Sequence, residues 1–155
     1  MAADTELYVC GKDCTHTSRF PRYNAVNRVL GTRRGRCGEY SILSLRVLQL
    51  LGHEVRWVVD WSDHVWCEVV AQAEEPAIHV DPCEAAVNEP LIYQGWGKNQ
   101  TFIVAFPISN NASLVEDVTR SYTSDFEGAL ARRLELKEPP DAVHAALARL
   151  NAARR

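Results

Sequence analysis

Apolar positions between residues 37 and 51 recur at helical spacing, with Leu43, Val47, Leu50 and Leu51 along one line and Ile42, Leu45 and Leu48 beside it. So broad an apolar arc predicts a helix covered on most of its sides. Gly52 supplies its stop. Downstream the period changes. "EVRWVVD" (54–60) and "HVWCEVV" (64–70) are β-branched and aromatic and are separated only by the polar "WSD", a pattern that predicts an antiparallel hairpin. "AIHVD" (77–81), closed by Pro82, "TFIVAF" (101–106), closed by Pro107, and "LVEDVT" (114–119) predict three further strands. Upstream, Pro21 biases Phe20 away from helix, so "RFPRYN" (19–24) reads as extended or turn, with a short helix about 24–30 after it. Two helices, about 125–136 and 140–153, close the chain and are broken by "EPP". A central helix followed by a meandering antiparallel sheet is an α+β layout. It reads as one domain over 1–155, with an N-terminal segment 1–34, a core 35–122 and closing helices 123–155.

Composition narrows the classes. The chain has 155 residues, 46% hydrophobic and 24% charged, which suits one soluble domain with a real core. A net charge of −3 points to neither a nucleic-acid partner nor a membrane surface, and no stretch approaches the roughly 18 apolar residues of a membrane span. "MAADTELYVC" lacks the apolar centre of a secretory signal. Five cysteines, an odd and unevenly spread set, favour a reducing compartment, cytosolic or nuclear, where thiols bind metal or do chemistry. Charge is segregated along the chain: seven arginines against Glu39 alone over 19–46, then nine acids against Arg56 alone over 54–89. The simplest expectation is that these halves face and neutralise each other. Arg33, Arg34 and Arg36 would also raise the potential beside Cys37 and favour its thiolate.

Three residues fall at telling places on this map. Cys37 opens the helix, His64 opens a strand, and Asp81 ends the next strand. Each alone has an ordinary structural reading: a small core residue, a satisfied strand histidine, an Asp-Pro turn. Together they suit nucleophilic chemistry. A thiol at a helix N-terminus sits in the positive end of the peptide dipoles. Gly35 and Gly38 leave room for backbone approach beside it. His64 on the strand edge is placed to take the thiol proton and return it to a leaving amine. Asp81 would fix the tautomer of His64 and support its cation. Asp63, though adjacent in sequence, should look away from His64, because strand neighbours alternate faces. The same alternation puts Trp66 beside the base, as a wall or an indole donor near a reacting carbonyl, and turns Cys67 into the core.

The run "GRCGEYSILSLRVLQLLGHEVRWVVDWSDHVWCEVV" followed by "HVDPCE" resembles the transglutaminase-like core of the cytoplasmic peptide:N-glycanase family. The likeness continues through "ELYVCGKDC", "SRFPRYN", "LIYQGWGK", "FIVAF" and "VEDVTRSY", covering about residues 6–122. It implies a transglutaminase-like, papain-like cysteine-triad fold and an amidase that removes N-linked glycans from misfolded glycoproteins in ER-associated degradation. The family triad falls on Cys37, His64 and Asp81. Glu84 and Trp96 match positions that contact the chitobiose of the glycan. The resemblance also implies a ubiquitin-receptor partner of the proteasome-shuttle type, for which Leu130, Leu134, Leu147 and Leu150 on the closing helices are the candidate face. Packing on the domain's own core is the competing role for them.

One part of the pattern breaks. The family's structural zinc implies two cysteine pairs, and Cys10 and Cys14 match the second pair with C-x₃-C in place of C-x₂-C. Residues 1–9 offer no first pair, and two thiolates do not close a tetrahedral site. The expectation is a chain that holds zinc weakly or not at all, as a fragment or truncated form lacking the family's flanking modules. Two other functional classes compete: a different cysteine-triad acyl transfer, either crosslinking or peptide cleavage, and a catalytically silent transglutaminase-like scaffold.

Overall fold

The computed structural model describes residues 2, 4–12, 15–70, 76–108, 114–137 and 139–154. A hairpin of β1 (Asp4–Val9) and β2 (Thr17–Arg22) comes first, then α1 (Val26–Thr32) and α2 (Cys37–Leu50). There follow β3 (Val55–Asp60), β4 (His64–Val69), β5 (Ile78–Asp81) and β6 (Ala86–Val87), a 3₁₀ turn at Ile92–Trp96, β7 (Ile103–Pro107) and β8 (Glu116–Asp117). Three helices close the chain: α3 (Thr119–Tyr122), α4 (Phe126–Arg133) and α5 (Pro140–Arg154). Strands β3 to β8 form one antiparallel sheet in the order β6-β5-β4-β3-β7-β8. The α+β expectation of a cysteine-bearing helix packed on an antiparallel sheet holds.

Both faces of the central strands are covered, which is why β4 has almost no exposed position. Leu45 of α2 packs on Val55 and Cys67, with Trp57 and Val80 around them. Residues alternate across the strand, so Val58 and Trp66, paired in register, face the other way. There they meet Ala105, Ile103, Tyr93 and Tyr122. Beyond α2, Val143 and Leu147 of α5 cover Phe102, Val104 and Val115.

Several elements differ from the periodicity. The covered arc of α2 is narrower than its apolar pattern implied: Val47 and Leu50 are exposed, while Glu39 and Ser41 are buried. The last expected strand shrinks to β8, because Asp117 turns back and its Oδ1 accepts from Thr119 N and Oγ1 to start α3. "RFPRYN" begins inside β2, where Pro21 stands opposite Thr5. Among the described residues the charge halves pair within themselves rather than with each other. Among the described residues no ion pair joins an arginine of 19–46 to an acid of 54–89. Arg22 and Arg36 pair instead with Glu6 and Glu39, within the N-terminal part.

The acidic stretch keeps its own cation. Arg56 bridges Glu68 at 2.6 Å and Glu116 at 2.5 Å, and Glu68 also accepts from Tyr122 Oη at 2.7 Å. Glu68 is 2% exposed, so its charge depends on those donors. Replacing Arg56 with Met is expected to cost about 3–5 kcal/mol of unfolding free energy in denaturant titrations. The double variant R56M/E68M should lose clearly less than R56M alone, because no charge is then left stranded.

Candidate active site

Cys37 is the first residue of α2, and two devices hold that helix end. Glu39 sits one turn in and accepts Arg36 N–H at 3.0 Å on Oε2, satisfying a backbone donor the helix cannot. The same carboxylate receives Arg22 through Nε at 2.5 Å and Nη2 at 2.9 Å, a two-pronged bond tying β2 to α2. Burial opposes the charge of Glu39, but Arg22 and the backbone donors outweigh it and hold the carboxyl below its usual range. Gly35 is needed for this packing: a Cβ there would lie 2.7 Å from Glu39 Cβ. Gly38 faces looser space, with Arg22 Nη2 at 4.0 Å from its would-be Cβ.

His64 begins β4 directly after a tight turn in which Asp63 adopts a left-handed φ of 69°. Asp63 is exposed, but it belongs to the turn and not to the strand, so its exposure comes from the turn and not from strand alternation. Asp81 ends β5, the next strand, and the β4–β5 pairing brings the two side chains together. His64 Nε2 lies 2.7 Å from Asp81 Oδ2. The Cys37 thiol and the His64 ring interact as well, each shifting the other's titration. The three expected residues converge in one place.

Their electrostatics follow from the contacts. The hydrogen bond to His64 pulls the Cys37 thiol below its ordinary range; partial burial opposes this, while the His64 charge and the Val65 and Gly38 backbone add to it. Burial works against a charged His64, yet Asp81 and Cys37 overcome it and raise the imidazole to about 9. Asp81, 1% exposed, is held low against its own burial by His64, Tyr93 and the Cys83 N–H. Thiol and imidazole therefore support each other's charged forms, each shifting the other in the direction of the ion pair.

The remaining site expectations divide. Trp96 is 42% exposed, its ring 5.1 Å from that of His64, with Lys98 Nζ 5.5 Å above it. Glu84 is exposed in the turn after β5, its backbone N–H 3.3 Å from Asp81 Oδ1. Both stand at the rim. Trp66 does not: it is 0% exposed, stacked on Tyr93 at 4.4 Å and tilted against Tyr122 at 4.7 Å, so its indole is enclosed and cannot meet a substrate. It is a wall beneath His64, 5.8 Å from that ring. Cys67 points inward, donates to Ser41 O at 3.2 Å, and is pushed up to about 12 chiefly by burial. Of the cysteine pair expected to bind zinc, Cys14 lies outside the described residues. Cys10 is disulfide-bonded, so its sulfur is not a thiolate donor, and among the described residues no cluster of three His, Cys, Asp or Glu could hold a metal ion.

Two buried groups at the site were not read from the sequence. Tyr93 Oη donates to Asp81 Oδ2 at 2.8 Å, and His79 Nε2 lies 2.6 Å from the same hydroxyl. For His79 a signal existed, since residues two apart on β5 share the face of Asp81. Tyr93 lies in a 3₁₀ turn, whose sequence carries no usable period.

A helix-borne thiol, a strand histidine and a buried carboxylate, in that chain order, define a transglutaminase-like α+β protein. The family model described as the transglutaminase-like superfamily matches residues 1–82, and the chain belongs to that superfamily. It is similar to proteins named peptide-N(4)-(N-acetyl-beta-glucosaminyl)asparagine amidase. The one from Gallus gallus is 40% identical over 134 residues, covering 86% of this chain and 20% of that protein. The Homo sapiens relative is 38% identical over 138 residues, 88% of this chain and 20% of its own. The Yarrowia lipolytica relative is 40% identical over 134 residues, 86% of this chain and 36% of its own. The chain thus spans about a fifth of the animal relatives and about a third of the fungal one.

The site's electrostatics set a pH signature. Removing His64 takes away the largest influence lowering Cys37, so the thiolate fraction at a given pH must fall. Iodoacetamide labelling of Cys37, read by peptide mass, should persist in wild type below the pH where free thiols fade. In His64→Ala the labelling curve moves up toward the ordinary thiol range, and the rate at pH 6.5 drops about tenfold or more.

Proposed function

We propose that this chain is the thiol-amidase core of a deglycosylating enzyme, acting on the amide that links an N-glycan to asparagine. The observation that carries this reading is the coupled Cys37, His64 and Asp81 set, with Cys37 half-buried and the exposed Trp96 ring beside His64. The similarity to proteins named as asparagine amidases supplies the substrate class.

The Cys37 thiolate adds to the carbonyl carbon of the glycosylated side-chain amide. The C–N bond breaks as His64 gives its proton to the leaving nitrogen, releasing a glycosylamine and leaving a thioester on Cys37. Water then adds to the thioester while His64 takes its proton, and thiolate departs. The former asparagine becomes aspartate. Asp81 stays ionised throughout and keeps His64 in the required tautomer. Trp96 offers an exposed aromatic face to a sugar ring, and Glu84 an acceptor for its hydroxyls or acetamide N–H.

The substrate in this reading is a denatured N-glycoprotein, met in the cytoplasm during disposal of misfolded chains from the endoplasmic reticulum. A shuttle-type ubiquitin-receptor partner has an apolar groove of about 250 Å³ available, lined by Trp61, Phe106, Val143, Leu147 and Leu150. Leu134 is also exposed, whereas Leu147 already packs on the domain's own core. Zinc enters only as the family's structural ion, for which Cys10 and Cys14 are the expected donors.

Incubation with a denatured high-mannose glycoprotein, followed by peptide mass, tests the reading. Wild type should remove the glycan and convert Asn to Asp, and Cys37→Ala should do neither. Trp96→Ala should lower kcat/KM on glycopeptide about tenfold while leaving Cys37 labelling unchanged, as expected for lost sugar stacking. An intact glycopeptide after prolonged incubation with folded, thiol-reactive wild type defeats the proposal. A separate zinc titration of the reduced chain should show no tight stoichiometric uptake; one tightly held equivalent would refute the incomplete-site reading.

A further inference from the structure

Asp81 Oδ2 receives two side-chain hydrogen bonds, from His64 Nε2 at 2.7 Å and Tyr93 Oη at 2.8 Å. The tyrosine has one proton and two neighbours, because His79 Nε2 stands 2.6 Å from the same oxygen. What decides its direction lies on the far side of the His79 ring. There Glu89 N–H donates to Nδ1 at 3.3 Å, and a nitrogen that accepts carries no proton. Burial, with the charge of His64, outweighs Asp81 and holds His79 below the ordinary histidine range. The ring is therefore neutral and its single proton sits on Nε2, where it donates to Tyr93 Oη. The tyrosine proton is left with Asp81 alone. Burial beside that carboxylate raises Tyr93 further and keeps the proton on it.

We propose that His79 and Tyr93 are positioning residues, a proton-ordering relay that fixes Asp81 Oδ2 against His64 and so sustains the Cys37 thiolate. Both are enclosed, at 1% and 0% exposure, so neither touches substrate. Tyr93 is also braced by rings, stacked on Trp66 and 5.2 Å from His64. Other titratable groups face this cluster. Cys83 and Glu84 reach Asp81 Oδ1 through their backbone N–H groups, and Cys67 couples to Asp81 from β4. The Tyr122 ring lies 5.9 Å from that of His79, with its hydroxyl given to Glu68. Among the described residues only His64 and Tyr93 bond Oδ2.

The relay rests on reading Cys37, His64 and Asp81 as the reacting unit, and its test needs no glycoprotein. The intact chain is labelled at Cys37 with iodoacetamide across pH, and the His64 ring is followed by NMR. Tyr93→Phe keeps the stacked ring and removes only the hydroxyl. It should move half-maximal Cys37 labelling up, and the His64 titration down, each by about one pH unit, the size of one hydrogen bond to a charged group. His79→Leu should shift both curves the same way, and H79L/Y93F no further than Y93F. His79→Gln, whose side-chain N–H can stand where Nε2–H stood, should restore the wild-type curves. Unmoved curves in Y93F, or H79Q shifting as far as H79L, overturn the relay. A wild-type chain whose Cys37 labels like a free thiol would instead sink the proposed function itself.

Discussion

An ionised carboxylate at 1% exposure survives only if the protein replaces the water it has lost, and Asp81 is such a group. Two backbone N–H groups, from Cys83 and Glu84, satisfy Oδ1. His64 and Tyr93 satisfy Oδ2. The donors come from three separate pieces of the chain: the turn after β5, the start of β4 and the 3₁₀ turn. The anion can therefore form only where sheet register, turn and 3₁₀ segment agree. With it stand the raised imidazole and the lowered thiol, since each is coupled to the next.

A second buried carboxylate secures the opposite end of the constellation. Glu39 is polar where the helix pattern calls for apolar, and it is buried because it caps α2 and grips Arg22. The thiol of Cys37 is aimed by this clamp. Its neighbour Gly35 is small because the first helical turn passes within side-chain distance of it. Two anions, one at each side, thus frame a cation–anion pair between them.

Much of this was legible in the sequence, for identifiable reasons. The β3–β4 hairpin announced itself through β-branched runs about a three-residue turn, and alternation correctly assigned Cys67 to the core, while Asp63 is exposed because it belongs to the turn. The same alternation put Trp66 beside His64 but could not say that Tyr93 and Tyr122 seal that face, so its substrate-facing role was lost. Partners of the arginines were likewise hidden, because ion pairing depends on how β1 and β2 fold back over α2. The β1–β2 hairpin itself has mostly exposed positions and leaves little apolar signature. Tyr93 was beyond reach, since nothing in "LIYQGWGK" predicts where a 3₁₀ turn will aim a hydroxyl.

The separation of Cys37, His64 and Asp81 along the chain has a consequence for the life of the molecule before it is folded. His64 and Asp81 are 17 residues apart, and Cys37 is farther still from either, so no contiguous peptide holds the set. An emerging or denatured chain carries only an ordinary, sluggish thiol. The coupled thiol, imidazole and carboxylate come into being with the tertiary structure and vanish with it, which makes the perturbed thiol latent by construction.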